Sequence, residues 1–218
     1  MQTLGFNPGP APRRVLCLGA HCDDIEIGCG GTILALLAAN PGLAVDWVVF
    51  SGTPERVMEG RAAAAGLLGG ASDARVTIHG FRDGYFPAEL PRLKDCFNAM
   101  AAGPPPDLVL THHRQDLHQD HRTIGELTWQ TFRNRLIWEY EIPKYDGDLG
   151  RPNLFVPVTV QQAARKIEVL MTCFRSQASK GWFTPDTFEA LLRLRGIESA
   201  SPTGRAEAFH APKTVVRF

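Results

Sequence analysis

The sequence predicts one α/β domain with a Rossmann-like, doubly wound and mostly parallel sheet. Between residues 14 and 140, short apolar segments alternate with segments of helical periodicity, and this alternation is typical of βαβ units. No repeat and no linker divides the 218 residues, and a chain of this length can bury one sizeable core. We therefore expect a single domain over residues 1–218, with an irregular arm at 1–13 that carries three prolines and two glycines.

The first half of the chain reads as three strands and two helices. Gly30 is the predicted start of the first helix, after a glycine-rich turn, and the NPG break at 40–42 ends it. Thr53 and Pro54 form a good start for the second helix, because proline is favoured in the first helical turn. In chain order the elements are a strand at 14–19, a helix at 30–39, a strand at 44–50, a helix at 55–68 and a strand at 74–78.

The second half becomes less regular after residue 140. Residues 141–153 are rich in proline, glycine and aspartate, and loops of this length often form lids or binding loops. The predicted elements are a helix at 90–102, a strand at 107–110, a helix from about 116 to about 134, a strand at 136–140, an extended segment at 155–158, a helix at 160–174, a short helix within 182–194, a loop at 196–212 and a last strand at 214–218.

Polar side chains follow the first predicted strand directly. His21 offers an imidazole nitrogen and Asp24 a carboxylate oxygen, and both groups suit Zn²⁺. Asp23 lies between them and is left for proton transfer. The loop at the carboxyl end of a strand is where an open α/β sheet forms its sites. The plainer interpretation is that Asp23 or Asp24 caps the next helix and that His21 is structural.

A histidine-rich segment, THHRQDLHQDHR at 111–122, follows another predicted strand. If a helix begins near Asp116, the i, i+3 spacing places His118 and His121 on one face of its first turn. Asp116 and Gln119 resemble a capping box with Asp116 at the N-cap. One of the histidines would complete a three-ligand site with an open position, which is typical of a catalytic zinc. The alternative is a solvated polar loop that is rich in histidine.

Composition narrows the function classes. Lysine and arginine together number 23, as do aspartate and glutamate, so the zero net charge gives no support for nucleic acid or an anionic membrane as a partner. No stretch approaches the ~20 apolar residues of a membrane helix, and the N-terminal segment lacks the apolar core of a secretory signal. The five cysteines are odd in number and form no Cys-x-x-Cys pair, which favours a reducing, cytoplasmic location.

A dinucleotide site is a competing interpretation of the first strand and the glycines after it. Gly28, Gly30 and Gly31 do not complete Gly-x-Gly-x-x-Gly, because residue 33 is isoleucine. We interpret these glycines instead as room for the backbone to pass close beneath the predicted metal loop.

The polar, aromatic loop at 79–87 follows the third predicted strand. Because it lies at the carboxyl end of that strand, we expect it to line the same cleft. Asp83 and Tyr85 are candidate substrate contacts, whereas a turn built on Asp83 and Gly84 explains the segment equally well.

Taken together, the two motifs resemble those of the PIG-L/LmbE-like zinc-dependent de-N-acetylases. The family pattern is Ala-His-Pro-Asp-Asp-Glu, then Gly-Gly-Thr, then His-x-Asp-His. In this chain Cys22 replaces the proline and Ile25 replaces the glutamate, with Glu26 one place later. The matching segments are His21–Asp24, Gly30–Thr32 and His118–Arg122, with softer similarities at Arg61, at Asp83 and Gly84, at Phe174–Gln177 and at Ala206–Phe209.

The resemblance implies a role for each core residue. The zinc ligands would be His21, Asp24 and His121, and Fe²⁺ or Co²⁺ could replace zinc at such ligands. Asp23 would be the general base that takes a proton from the attacking water, and a protonated His118 would stabilise the oxyanion.

Two further residues receive expected roles. Asp120 adjoins both histidines in sequence, so its charge would raise the pKa of His118; ordinary capping of the helix N-terminus is the alternative. Arg61 would contact the substrate, as the resemblance implies, although an arginine on a helix face is usually just solvated.

The activity implied by the resemblance is that of a zinc-dependent hydrolase. It would remove the acetyl group from an N-acetylglucosamine-type conjugate, so the partner would be a small-molecule N-acetyl sugar. Homo-oligomers are common in the family. Two alternatives stay open: a non-catalytic sugar- or metal-binding module with the same fold, and a zinc hydrolase of another amide or ester.

Overall fold

A seven-stranded sheet forms the centre of residues 11–215, the part of the chain that the computed structural model describes. The strands are β1 (Arg14–His21), β2 (Ala44–Ser51), β3 (Asp73–Ile78), β4 (Leu108–His112), β5 (Leu136–Tyr140), β6 (Leu154–Pro157) and β7 (Ala206–His210). Their order is β3-β2-β1-β4-β5-β7-β6. The first five strands are parallel, and β7 runs antiparallel to β5 and β6. The predicted doubly wound, mostly parallel α/β sheet is therefore confirmed.

Six α-helices connect the strands within the described range: α1 (Asp24–Ala39), α2 (Pro54–Leu68), α3 (Leu90–Ala101), α4 (Gln119–Phe132), α5 (Val160–Cys173) and α6 (Pro185–Glu198). The core lies on both faces of the sheet, since successive strand residues point to opposite sides. Val15 and Cys17 of β1 pack into one cluster with residues of α1, α2 and α5. Leu16 and Leu18 pack into another with residues of α3 and α4.

The strand order reverses between β1 and β4, with β2 and β3 on one side and β5 on the other. Such a switch point leaves a crevice beyond the carboxyl ends of the two strands. β1 ends at His21, and β4 continues past the predicted 107–110 segment to His112. Both polar motifs begin just beyond these strand ends, so the topology brings them to the same crevice.

Helix α1 begins at Asp24, earlier than predicted, and bends at Cys29, where φ is −148° and ψ is 17°. The glycine-rich turn expected before Gly30 is therefore part of the helix. Beyond the bend, the N–H groups of Gly31 and Thr32 donate to the carboxylate of Glu207 in β7, at 2.8 and 2.6 Å. The second part of α1 thus has its own N-terminal cap, supplied by a distant strand.

Lys166 of α5 stabilises the other side of the bend. Its ammonium group donates to the carbonyl of Ile27 and to the carboxylate of Glu207, both at 2.6 Å. Lys166 and Glu207 are both buried. A buried ion pair therefore satisfies backbone groups on both sides of the bend, where the regular helical hydrogen bonds are broken.

The glycines of α1 serve packing against β5 and β7. A Cβ atom on Gly28 would overlap the Tyr140 ring, and one on Gly31 would lie 2.9 Å from Val158 and 3.0 Å from Glu207. Our expectation that these glycines let the backbone pass beneath the metal loop is therefore wrong. They let the helix approach the sheet.

Helix α4 begins at Gln119 with His118 at the N-cap, so the predicted start at Asp116 and its capping box with Gln119 are wrong. The carboxylate of Asp116 accepts the N–H of His118 at 2.7 Å and lies 2.9 Å from Nδ1 of His121. Because the Asp116 side chain is used by these two histidines, it is not available to cap a helix that begins at its own position.

The final strand also differs from the prediction. β7 lies at 206–210, inside the segment predicted as a loop, where it pairs with both β5 and β6. Of the strand predicted at 214–218, residues 214 and 215 are not in a strand, and residues 216–218 lie outside the described range. Of the arm predicted at 1–13, residues 11–13 are irregular, and residues 1–10 also lie outside that range.

All five cysteines are free thiols, in agreement with the absence of a predicted disulfide framework. Within residues 11–215, none of the helices has the length and apolar character needed to cross a membrane.

Candidate metal centre and active site

Three side chains that we predicted as metal ligands meet in the crevice. Nδ1 of His21 lies 3.3 Å from Nε2 of His121 and 3.4 Å from Oδ2 of Asp24. Nε2 of His121 lies 3.6 Å from Oδ1 of Asp24. All three residues are buried. The two motifs, 100 residues apart between their histidines, thus supply one cluster.

The spacing of these donor atoms fits a tetrahedral metal ion. Zn²⁺ binds nitrogen and oxygen at about 2.0–2.2 Å, which sets two ligand atoms roughly 3.3–3.6 Å apart. Two imidazole nitrogens and one carboxylate form a donor set that also accommodates Fe²⁺ or Co²⁺. Three protein ligands leave a position open, as catalytic metals require.

Two neighbouring groups of side chains also place their ligand atoms within 4.8 Å of one another. Each shares a histidine with the first cluster, so these side chains surround it rather than form a separate centre. They are His21 with Asp83 and His118, and His121 with His112 and Asp116.

Carboxylates hold the ring nitrogens that face away from the cluster. Oδ2 of Asp116 lies 2.9 Å from Nδ1 of His121, and Oδ2 of Asp120 lies 3.3 Å from Nε2 of His21. Such contacts fix the orientation of a metal-binding imidazole and the nitrogen that carries its proton. Burial, together with the nearby His112, lowers the pKa of His121 to about 4, so this ring is in the neutral form that a metal ligand needs.

Asp23 lies beside the cluster in a strained backbone conformation. Its φ angle is 124°, which is costly for a residue other than glycine. Asp23 is the N-cap residue of α1, yet its side chain makes no capping hydrogen bond. The carboxylate instead pairs with Nη2 of Arg56 at 2.7 Å. Burial raises the pKa of Asp23 to about 6, and Arg56 limits that rise, which suits a group that accepts and returns a proton.

His118 packs against both predicted histidine ligands. Its ring centroid lies 5.0 Å from that of His21 and 4.5 Å from that of His121. Nδ1 of His118 accepts the N–H of Asp120 at 3.3 Å, so the proton of the neutral ring is on Nε2. Burial and the nearby His21 lower the pKa of His118. The ring therefore offers an Nε2–H donor without being charged.

Asp120 acts on His118 in the expected direction, but its carboxylate is also used by other groups. Its carboxylate accepts the N–H groups of Gly84 and Phe86, at 2.6 and 3.1 Å, and contacts His21. Asp120 raises the pKa of His118, as we expected, but burial and the nearby His21 outweigh it, so the net shift is downward. The role that the contacts indicate is positioning: Asp120 ties the loop after β3 to a metal-ligand candidate.

Arg61, a predicted substrate contact, is exposed and directed to β3, where Nη1 lies 3.4 Å from the carbonyl oxygen of Val76. The arginine that reaches the site is Arg56, in the first turn of α2. It pairs with Asp23 and donates to the carbonyl of Cys22. The helical rise of 1.5 Å per residue places Arg61 about 7.5 Å further from the crevice. Position in the first helical turn was the signal that pointed to Arg56.

Of the other two predicted substrate contacts, Asp83 lines the cleft beside His21, and Tyr85 stacks on Arg82, which also lines it. Oδ1 of Asp83 lies 3.0 Å from Nε2 of His21, and this contact lowers the pKa of Asp83 to about 2. Tyr85 is half exposed, and its ring lies 3.6 Å from the guanidinium carbon of Arg82. An open cleft of about 310 Å³ is lined by His21, Ser51, Gly52, Thr53, Arg56, Phe81, Arg82 and Asp83.

Cys22 and His112 are the remaining side chains next to the candidate metal ligands. Cys22 is buried, and its Sγ lies 3.6 Å from the carbonyl oxygen of Ser51, on the β2 side of the loop. Sequence reasoning missed His112, whose ring stacks 4.0 Å from that of His121 and whose Nε2 lies 3.1 Å from Oδ2 of Asp24. Its position at the carboxyl end of a central strand was the available signal.

Comparison with known families matches residues 16–132 to the family described as PIG-L, GlcNAc-PI de-N-acetylase. The chain belongs to the PIG-L family. The matched residues make up more than half of the chain and contain both polar motifs and the predicted substrate contacts. No curated protein sequence matches the chain.

Solved structures resemble this PIG-L chain over nearly its whole length. A conserved protein from Thermus thermophilus is 21% identical, with a TM-score of 0.72 and coverage of 94% of this chain and 96% of that one. The 4-carboxy-2-hydroxymuconate hydratase from Pseudomonas putida is 19% identical, with a TM-score of 0.72 and coverage of 94% and 98%. The N,N'-diacetylchitobiose deacetylase from Pyrococcus horikoshii is 20% identical, with a TM-score of 0.64 and coverage of 94% and 85%.

These likenesses establish the fold. Because one of the similar proteins is a hydratase, the fold alone does not decide the reaction. Membership of the PIG-L family, together with the cluster of metal-ligand candidates, supports a metal-dependent deacetylase and thus a hydrolase.

Proposed function

We propose that this chain removes the acetyl group from an N-acetylglucosamine-type sugar conjugate with the help of Zn²⁺. The observation that carries the proposal is the cluster of His21, Asp24 and His121, in which each pair of residues brings two ligand atoms within 3.3–3.6 Å, through Oδ2 of Asp24 toward His21 and through Oδ1 toward His121. Asp23, the residue before Asp24, adds a buried carboxylate on a strained backbone. Family membership gives the reaction class, and this arrangement supplies the groups that amide hydrolysis needs.

Zn²⁺ would be held by His21, Asp24 and His121, and when bound it supplies Lewis acidity that polarises the amide carbonyl and activates water. Asp116 and Asp120 hold the outer nitrogens of the two histidines. These carboxylates keep each ring turned toward the metal position, which preserves the geometry between turnovers.

Asp23 serves as the proton carrier of the reaction. Its carboxylate accepts a proton from the attacking water and later returns it to the departing sugar amine. Both transfers need a group whose pKa lies near the working pH, and burial raises the pKa of Asp23 to about 6. Arg56 lies 2.7 Å from Oδ1 of Asp23 and holds the carboxylate in one position for both transfers.

His118 stabilises the negative charge that develops on the carbonyl oxygen. Because Nδ1 accepts the N–H of Asp120, the proton on Nε2 is available to that oxygen. In this version of the mechanism His118 donates as a neutral imidazole, in place of the protonated form that we expected from the sequence.

Acetate release from matched substrates tests the proposal. The zinc-loaded protein is incubated with N-acetylglucosamine glycosides, with N-acetyl amino acids and with acetyl esters of the same sugars, and acetate and free amine are quantified. We expect release from the N-acetyl glycosides in the native protein and not in Asp23→Asn. Faster release from the amino acids or esters would favour another zinc hydrolase, and glycoside binding without release would favour a non-catalytic module.

The identity of the metal is tested on the same substrates. The protein is stripped with a chelator and reloaded separately with Zn²⁺, Fe²⁺ and Co²⁺, at one equivalent each. Zinc is expected to restore turnover, and cobalt gives a visible spectrum that reports the coordination number. Restoration by iron alone would contradict the zinc assignment.

A further inference from the structure

The loop between β5 and β6 reaches the candidate site from outside the family-matched residues. This loop, 141–153, begins after the matched stretch at 16–132 has ended. Lys144 in this loop places its ammonium group 3.0 Å from Oδ2 of Asp116, the oxygen that also contacts His121. The loop therefore touches a side chain that lies directly behind a proposed metal ligand.

Asp148 of the same loop makes the contact two-sided. Its carboxylate lies 2.5 and 2.6 Å from the ammonium group of Lys144. Oδ2 of Asp148 also accepts the N–H of Leu117 at 2.7 Å. Lys144 and Asp148, here called the loop clamp, thus hold Asp116 by its side chain and Leu117 by its backbone. His118 is the next residue, and its own N–H donates to Asp116.

Charge and burial make this clamp rigid. The side chains of Lys144, Asp116 and Asp148 are only 9%, 5% and 7% exposed. One largely shielded ammonium group therefore lies between two largely shielded carboxylates. Without it, the two carboxylates would lose their cation and would repel each other, and removing one partner from a shielded ion pair is destabilising. The most direct relief is for the 116–118 segment to move away from the loop.

We propose that Lys144 and Asp148 are positioning residues of the metal centre, acting through Asp116 on His121 and through Leu117 on His118. The inference rests on the proposed function for the metal that the cluster binds. It gives the long loop a role different from the lid or binding loop that we predicted. The loop sets the geometry of the histidines from behind and makes no contact with substrate in this role.

The test is the affinity of the protein for zinc, measured in variants that separate the effect of the Lys144 charge from that of its side-chain size. Lys144→Met keeps most of the side-chain length and removes the charge, whereas Lys144→Arg keeps the charge. Arg195→Met is the matched control, because Arg195 forms a buried pair with Glu141 at the start of the same loop, with Nε–Oε2 at 2.9 Å. Zinc dissociation constants are measured by chelator competition, without substrate.

We expect zinc to bind about 10–100-fold more weakly to Lys144→Met, as is usual when support behind a metal ligand is lost. Lys144→Arg is expected to restore most of the affinity, and Arg195→Met to keep it despite a lower Tm. Unchanged affinity in Lys144→Met would overturn the proposal. An equal loss in Arg195→Met would also overturn it, because general destabilisation would then explain both.

Amide hydrogen exchange in the metal-free protein separates this inference from the proposed function. The N–H groups of Leu117 and His118 donate to the carboxylates of Asp148 and Asp116. Their exchange is expected to be faster in Lys144→Met than in the native protein or in Arg195→Met. If the native protein binds no metal, the proposed function fails, but the exchange rates still show whether Lys144 and Asp148 hold the 116–118 segment in place. Unchanged exchange in Lys144→Met would overturn the proposal that Lys144 and Asp148 are positioning residues.

Discussion

The guanidinium group of Arg56 lies 2.7 Å from the carboxylate of Asp23 and also donates to the backbone carbonyl of Cys22. One side chain of α2 thus holds both the side chain and the preceding peptide group of a residue whose φ angle is 124°. Strained backbone persists where the surroundings over-determine it. We therefore expect Arg56 both to lower the pKa of Asp23 and to hold its strained backbone in place.

Replacement of Arg56 by methionine is expected to shift the acidic limb of the pH–rate profile to higher pH. Burial raises the pKa of Asp23 to about 6, and Arg56 is the largest influence that lowers it. Removing the cation therefore raises the pKa further, so the active, deprotonated form appears only at higher pH. Profiles of kcat/KM for Arg56→Met and Arg56→Lys give the comparison. A limb that stays in place in the methionine variant would contradict the role of Asp23.

Replacement of Asp23 by glycine is expected to give a more stable protein than replacement by alanine. Both variants lose the carboxylate and its salt bridge, so their difference isolates the backbone. Glycine adopts a φ of 124° without strain, whereas alanine does not. The net gain should be about 1 kcal/mol, after allowance for the greater freedom of glycine in the unfolded chain. Urea unfolding of the metal-free variants measures it; equal midpoints would show that residue 23 relaxes.

Alanine at any one of the three proposed ligands should abolish stoichiometric metal binding. His21, Asp24 and His121 each offer a ligand atom within 4.8 Å of the others, and two remaining ligands hold zinc poorly. Metal content after dialysis is the measurement. Cys22→Ser is the matched control, because its sulfur lies beside Ser51 and should not be a ligand. Full metal retention in two of the alanine variants would refute the ligand set.

His118→Ala is expected to bind zinc nearly normally and to lose roughly 10²–10³ in turnover, as is usual for one oxyanion donor. Since the pKa of His118 is lowered by burial and by His21, its neutral form should be the active donor. The alkaline limb of the pH–rate profile should therefore persist in the alanine variant. Disappearance of that limb would show that the protonated ring is the donor.

The sequence was most informative about the position of the site, which lies where the ends of two neighbouring strands meet. His21 and His112 end β1 and β4, which flank the switch point of the sheet. Alternation of strands and helices was enough to predict this topology, because parallel strands joined by helices have few arrangements. Once the strand ends are adjacent, the residues just after them must share a crevice. This explains why the two motifs could be brought together from sequence, whereas the choice of His121 as the third ligand came from the family resemblance.

Side-chain direction and distant partners could not be predicted in the same way. Arg61 and Arg56 both lie on α2, and their rise along the helix and their direction around it together decide which one reaches Asp23. Asp116 was interpreted as an N-cap because Asp often caps helices, whereas two histidines compete for its carboxylate. The capping of the second part of α1 depends on Glu207, which is far away in sequence, so no local pattern reveals it.

Glu207 reaches the amide of Gly31 across 176 residues of sequence. While the chain is being synthesised, all the proposed metal ligands leave the ribosome before the carboxylate that caps the second part of α1, the helix that begins at Asp24. A nascent chain that has reached residue 132 holds the family-matched residues, yet the bend in α1 still lacks both Lys166 and Glu207. Contacts of such long range close late in folding. We therefore expect the metal centre to assemble only after β7 has emerged.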